Sequence, residues 1–193
     1  MRTGVAAARY PAILIGMFKP LILASLVLLA GQAIAAPSDE MFEKLQNAPS
    51  ESEANDIAQD IWASWMESGS ATIDMIMERA VDAQTVGDYE TARAFYDRVI
   101  MIDPEYAEAW NRRAGLFLID ENFPEALRDI NEALRIEPRH FGAWAGLGIM
   151  LETMGAEDEA LDAYREALKI YPLMTQAMQA EKRLSKAAEG QGL

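Results

Sequence analysis

Residues 141–174 read FGAWAGLGIMLETMGAEDEALDAYREALKIYPLM. Trp144, Leu147/Gly148 and Leu151 recur at the spacing of one helix face, and Ala160, Tyr164 and Ala167 repeat that spacing after Gly155. Gly155 punctuates the two patterns, and Pro172 ends the second because proline lacks an N–H and clashes with the preceding turn. The stretch is a helix, a tight turn and a second helix.

Working outward, the same punctuation returns. Pro104, Pro138 and Pro172 are evenly spaced along the chain. At fixed offsets before them lie Ile76, Trp110 and Trp144; Ala80, Ala114 and Gly148; Ala92, Ala126 and Ala160; and Tyr96, Ile130 and Tyr164. In the middle unit a first helix over 107–120 aligns Trp110, Ala114 and Phe117. A second over 124–136 aligns Ala126/Leu127, Ile130 and Ala133/Leu134. Pro124 suits a first helical turn, where its missing N–H costs nothing. Small residues at 114 and 126 let the two backbones approach. Gly87 and Gly155 occupy the turns of the first and third units, while Asn122 stands beside that of the second.

The period and the Trp-x2-Leu-Gly-x2-Leu, Ala-x3-Tyr-x2-Ala and Pro pattern of 144–172 resemble the tetratricopeptide repeat family. Arg113 departs from the expected Leu in the second unit, and the first unit matches more weakly through Ile76, Arg79, Ala80, Ala92, Tyr96, Val99 and Pro104. The resemblance implies an all-α, right-handed α-solenoid with units at 73–106, 107–140 and 141–174. One register earlier, 36–72 holds Phe42, Leu45, Ala58 and Trp62 at partly matching positions, with Ser50-x-x-Glu53 as a capping box. That segment is expected to be a degenerate hairpin capping the N-terminal end. Residues 175–193 supply a C-terminal capping helix and tail, because an uncovered last repeat would expose its apolar face. Lys182, Arg183 and Lys186 are expected near that helix's C-terminus, where its dipole favours cations.

The N-terminal segment 1–35 differs from the rest. It contains Arg2, Arg9 and Lys19, no acid, the apolar run 21–30 and the small-x-small ending Ala33-Ile34-Ala35. These are the marks of a cleaved secretory leader, with cleavage near Ala35 and a periplasmic product. Met17 would start a compact leader as well as Met1 does. The alternative is an uncleaved inner-membrane anchor. Its uninterrupted stretch, 21–36, falls short of the ~20 apolar residues that a spanning helix wants. Membrane contact is expected only if this segment is retained.

Composition narrows the function. There is no cysteine and one histidine, His140, which removes disulfides, thiolate metal sites and any site needing two imidazoles. Acids outnumber bases 31 to 17, for a formal charge of −14, so nucleic acid is not an expected partner. Asp120/Glu121 and Asp158/Glu159 lack the order of a calcium loop. No phosphate loop or nucleophile elbow is present, and neither enzyme activity nor a cofactor is expected. His140 follows Pro138 in a loop, where a lone histidine is a surface or capping residue. The tryptophans are expected in the core rather than on a sugar-stacking surface.

The resemblance also implies that first helices line a concave groove. The partner-binding positions would be Met77, Glu78 and Val81 in the first unit, Asn111, Arg112 and Gly115 in the second, and Ala145, Gly146 and Ile149 in the third. Arg112 can grip a partner carboxylate at two points, or pair internally with Glu78 or Glu108. Gly115, Gly142 and Gly146 weaken their helices, which points either to close helix packing or to room for a ligand backbone. Relatives that clamp chaperone C-termini carry several cations in the groove. Met77, Val81, Gly142 and Gly146 stand in their place here, which speaks against a chaperone-tail receptor. The whole is expected to be a periplasmic scaffold or adaptor binding another protein. The runner-up is a membrane-anchored assembly factor of an envelope complex. The layout resembles that of small exported bacterial repeat proteins.

Overall fold

A computed structural model describes residues 36–191. The expected leader over 1–35, its cleavage point and the choice between Met1 and Met17 lie outside the described residues. Within them the chain forms α1 (Asp39–Gln46), α2 (Glu51–Met66), α3 (Ala71–Thr85), α4 (Tyr89–Ile102), α5 (Ala107–Ile119), α6 (Phe123–Ile136), α7 (Phe141–Thr153), α8 (Glu157–Ile170) and α9 (Thr175–Gln191). No strand occurs among the described residues.

The helices pair as the repeat requires. α3 packs with α4, α5 with α6 and α7 with α8, and each pair leans on the next through α4–α5, α6–α7 and α8–α9. The result is an α-solenoid in which most contacts are local along the chain. Pro104, Pro138 and Pro172 each follow the last residues of a second helix, and Pro124 sits in the first turn of α6. The small residues Ala80, Ala92, Ala114, Ala126 and Ala160 are buried where helices cross. Trp110 and Trp144 are partly buried against two of the clusters, and each indole N–H donates at 2.9 Å to a proline carbonyl in the preceding turn, that of Pro104 and of Pro138. The tryptophans thus bolt the inter-unit turns to the first helices.

The turns of units one and three place Gly87 at φ 81° and Gly155 at φ 78°. In the second unit that left-handed position falls on Glu121, at φ 55°, rather than on the neighbouring Asn122. Leu127, expected on the packing face of α6, is exposed; the stripe of α6 is Ala126, Asp129, Ile130 and Ala133.

The N-terminal hairpin differs from expectation. Ser38 and Ser50 cap α1 and α2 by accepting from Met41 N–H and Glu53 N–H. Their apolar faces are not spent on the end of the array. Phe42, Leu45, Ala58, Ile61 and Trp65 cluster with Phe141 and Tyr171, which open α7 and precede α9. α1 also packs on α8, and α2 on α5. The hairpin is laid along the inter-unit turns of the second and third units, not set as a cap over the first. The Trp62 and Trp65 rings both pack against Phe141, which in turn meets Tyr171.

α9 closes the far end, burying Ala177, Ala180 and Leu184 against the α7–α8 pair, while Met178 is exposed. Because α9 continues to Gln191, Lys182, Arg183 and Lys186 lie in its middle and not in its last turn. Arg183 serves another end, reaching Glu152 of α7.

Candidate functional site

The first helices α3, α5 and α7 carry the predicted binding positions. Glu78 is exposed, and Val81, Asn111, Arg112, Gly115, Gly146 and Ile149 are partly exposed. Met77 and Ala145 are not available: both are buried. α3 presents Ile73, Ile76, Met77 and Ala80 as one stripe at i, i+3, i+4, i+7, so Met77 falls inside the packing face. Ala145 lies in the cluster with Ala160, Tyr164, Ala177 and Ala180, where α8 and α9 meet α7.

The glycines separate into two kinds. A Cβ at Gly142 would meet the Trp62 ring at 2.6 Å, and one at Gly148 the Tyr164 ring at 2.7 Å. These two are packing glycines. Around Gly115 and Gly146, beyond the adjoining backbone of their own helix, no atom lies within 4 Å of where a Cβ would be. Their missing side chains leave open space on the face shared by Arg112 and Ile149. A cavity of about 480 Å³ continues this face between α7 and α9, lined by Ile149, Glu152, Tyr164, Gln176, Gln179 and Arg183.

Arg112 is paired internally, with Glu108 and not with Glu78. Its Nε donates to Glu108 Oε1 at 2.6 Å. Burial works against the guanidinium charge, but Glu108 and Tyr96 outweigh it and hold the pKa above the ordinary arginine value. A quarter of the side chain, 26%, stays exposed. Glu108 itself is almost fully buried and accepts two further bonds, from Asn111 Nδ2 at 3.2 Å and from His140 Nε2 at 2.9 Å. A buried carboxylate is tolerable only with such a donor set.

His140 is the N-cap of α7, and its Nδ1 accepts from Ala143 N–H at 3.0 Å. Nδ1 must therefore be the bare nitrogen and Nε2 the donor to Glu108. The ring is wholly buried rather than on the surface. It stacks on Trp65 with centroids 4.1 Å apart and meets the edge of Trp62. One residue thus joins α2, α5 and α7.

Arg113, the departure from the repeat pattern, faces away from these groups. Nε and Nη2 bind the two oxygens of Asp129 at 2.6 and 2.8 Å, Nη1 reaches Asp97 at 2.7 Å, and the guanidinium lies over Trp110. Asp129 is fully buried. From the sequence, Glu108 is visible only as a possible partner of Arg112, and Asp129 not at all. A signal existed for Asp129: the corresponding positions of the other units are Phe95 and Ala163, so an acid there answers the base that replaces Leu.

Among the described residues no group of three or more His, Asp or Glu is placed to hold a metal ion. The buried carboxylates Glu108 and Asp129 and the His140 imidazole are each engaged by neighbouring side chains or backbone.

A model of the tetratricopeptide repeat family matches residues 77–136 and 120–174. A TPR repeat-containing protein of Rhizobium etli is 36% identical over 152 residues, spanning 79% of this chain and 74% of that one. Small glutamine-rich tetratricopeptide repeat-containing protein 2 of Saccharomyces cerevisiae is 31% identical over 83 residues, 43% of this chain and 24% of that protein. Of solved structures, the Arabidopsis OM64 TPR domain is similar with TM-score 0.57 at 28% identity, over 60% of this chain and 95% of that one. The first TPR of Spaghetti, bound to the HSP90 peptide SRMEEVD, is similar in fold with TM-score 0.58 at 20% identity, over 61% and 93%. The helix pairs, their common period and these matches agree, and the chain belongs to the tetratricopeptide repeat family.

Proposed function

We propose that this protein is an exported scaffold or adaptor without chemistry of its own, which holds a peptide segment of a partner protein along the first-helix face of α3, α5, α7 and α9. The observation that carries the reading is the open space at Gly115 and Gly146. Helix-interior glycine weakens a helix by about 0.5–1 kcal/mol relative to alanine. Gly142 and Gly148 recover that in close packing, whereas a Cβ at Gly115 or Gly146 would meet no neighbour outside its own helix. Room for a partner backbone is the compensation. Arg112 and Asn111 border the space and offer N–H donors, with Ile149 as apolar floor. A relative of the same fold has a peptide of another protein bound in its solved structure, which supports a peptide as the ligand class here.

The leader-like N-terminal sequence supports a periplasmic location, and the three bases with no acid in 1–35 agree with it. Recovery in the soluble envelope fraction at the cleaved mass is the expected result. Recovery with membranes at full mass would favour the anchored assembly factor instead.

The binding surface is tested by in-cell crosslinking followed by identification of attached proteins, comparing wild type with Gly146→Trp. The indole fills the open space without touching the core, so helicity and melting should persist while the crosslinked partner is lost. Identical partner sets for both proteins would overturn the assignment of this face.

A further inference from the structure

Ala36 is exposed at the edge of a pocket of about 210 Å³, open to solvent and bordered by the α2–α3 link, the α4–α5 turn and the end of α6. Pro37 is buried and Ser38 caps α1, so Ala36 has little slack. Five carboxylates line the cavity: Glu67, Asp103, Glu105, Glu108 and Glu137. Three are answered by arginines, Glu105 by Arg135, Glu108 by Arg112 and Glu137 by Arg139. Glu67 and Asp103 have no ion pair among the described residues, so the cavity keeps a negative surplus.

A second, independent observation points to a missing group. The Tyr106 hydroxyl is buried with no hydrogen-bond partner among the described residues, and Tyr106 lines this cavity. Trp65 forms another wall. Buried polar groups in native proteins are almost always satisfied. Burial, with Glu108 and Asp74 adding, pushes the Tyr106 pKa up, so the phenol stays neutral and keeps an oxygen free to accept.

We propose that this cavity holds the α-ammonium group that forms at Ala36 when the leader is removed. The inference rests on the export reading. Hydrolysis of the Ala35–Ala36 peptide bond by an export peptidase consumes one water and leaves a carboxylate on Ala35 and an ammonium on Ala36. Before cleavage that nitrogen is a neutral amide; afterwards it is a cation within an acidic cavity. The cation accounts for the carboxylate surplus and gives the Tyr106 oxygen a donor. Tied there, it fastens the start of the α1–α2 hairpin to the α4–α5 turn, so processing completes the seating of the hairpin.

The test uses the full chain produced with its leader in an exporting bacterial host. N-terminal sequencing of the product identifies the first residue. The α-amine is then titrated through the pH dependence of its reaction with an amine-specific reagent, read on the N-terminal peptide by mass. An ordinary α-amine titrates near pH ~8, and an opposite charge within a few ångströms raises that by about one pH unit or more. The expected result is a first residue Ala36, a midpoint raised by about that much, and partial reversal in Glu67→Gln. Glu67 is exposed, so this variant is not expected to unfold. Tyr106→Phe should lower the midpoint further if it folds, and Glu67→Gln decides if it does not. A retained leader overturns both this inference and the export reading. A first residue other than Ala36 overturns the ammonium site and leaves export standing. An Ala36 start with an ordinary midpoint, unmoved by Glu67→Gln, overturns the ammonium site alone.

Discussion

At the scale of single residues, glycine does three different jobs in one fold, and each predicts a different outcome for the same change. Gly115→Ala and Gly146→Ala add a Cβ into open space, so each should stabilise by about 0.5–1 kcal/mol, read as a rise in the denaturant midpoint at unchanged slope. Gly142→Ala and Gly148→Ala should do the reverse, because the Trp62 or Tyr164 ring must move. Gly87 and Gly155 supply the left-handed turn, and Glu121 occupies that position at a cost of about 1 kcal/mol or more. Glu121→Gly should recover about that much, and thermal unfolding would show it. The sequence showed the glycines and their period. It did not show that Gly142 lies under an aromatic ring from α2, far back along the chain, while Gly146, one turn on, lies under nothing.

At the scale of helix pairs, the second unit buries the ion pair Arg113–Asp129 where the third unit has Leu147 and Ala163. Arg113→Leu restores the residue the repeat expects, yet it strands Asp129 in the core. The expected cost is about 3–5 kcal/mol, as for other broken buried pairs. Arg113→Leu with Asp129→Leu together should recover most of it, and a double-mutant cycle on equilibrium unfolding measures the coupling. At the α7–α9 contact, the Arg183 guanidinium beside Glu152 holds its carboxyl below the ordinary carboxylate value, ahead of the opposing effect of burial. On α8, burial and the same Glu152 push the Tyr164 hydroxyl up to about 12. A lowered carboxylate pKa means that the contribution is fully present above the unfolded value and is lost as pH falls through the folded one. Hydrogen exchange in α9 should therefore quicken as pH drops below about 4.5 relative to the α3–α4 pair, and Glu152→Gln should abolish that extra dependence.

At the scale of the whole molecule, the N-terminal hairpin turns a string of neighbour contacts into a more closed structure. Trp62, Trp65, His140 and Phe141 form one aromatic cluster from segments widely separated in sequence. Asp39 reaches Arg139 at 2.6 Å, and the Gln46 amide donates to the Lys169 carbonyl at 3.1 Å. Trp65→Ala should cost about 3–5 kcal/mol and release α1–α2 ahead of the array, seen as a separate early transition when the hairpin and α8 are probed independently. By itself the sequence determined the class and the period, because helix phase, small crossing residues and proline punctuation act within a single unit and then recur in the next. It also removed disulfides, thiolate metal sites and any site needing two imidazoles. Only the tertiary structure decided which face of each first helix is open, that Met77 and Ala145 are core, that His140 and Glu108 bind each other in the interior, and that the hairpin lies along the turns. Those outcomes depend on partners brought from other units, and burial and ion pairing at such distances follow from the packing rather than from any local pattern of residues.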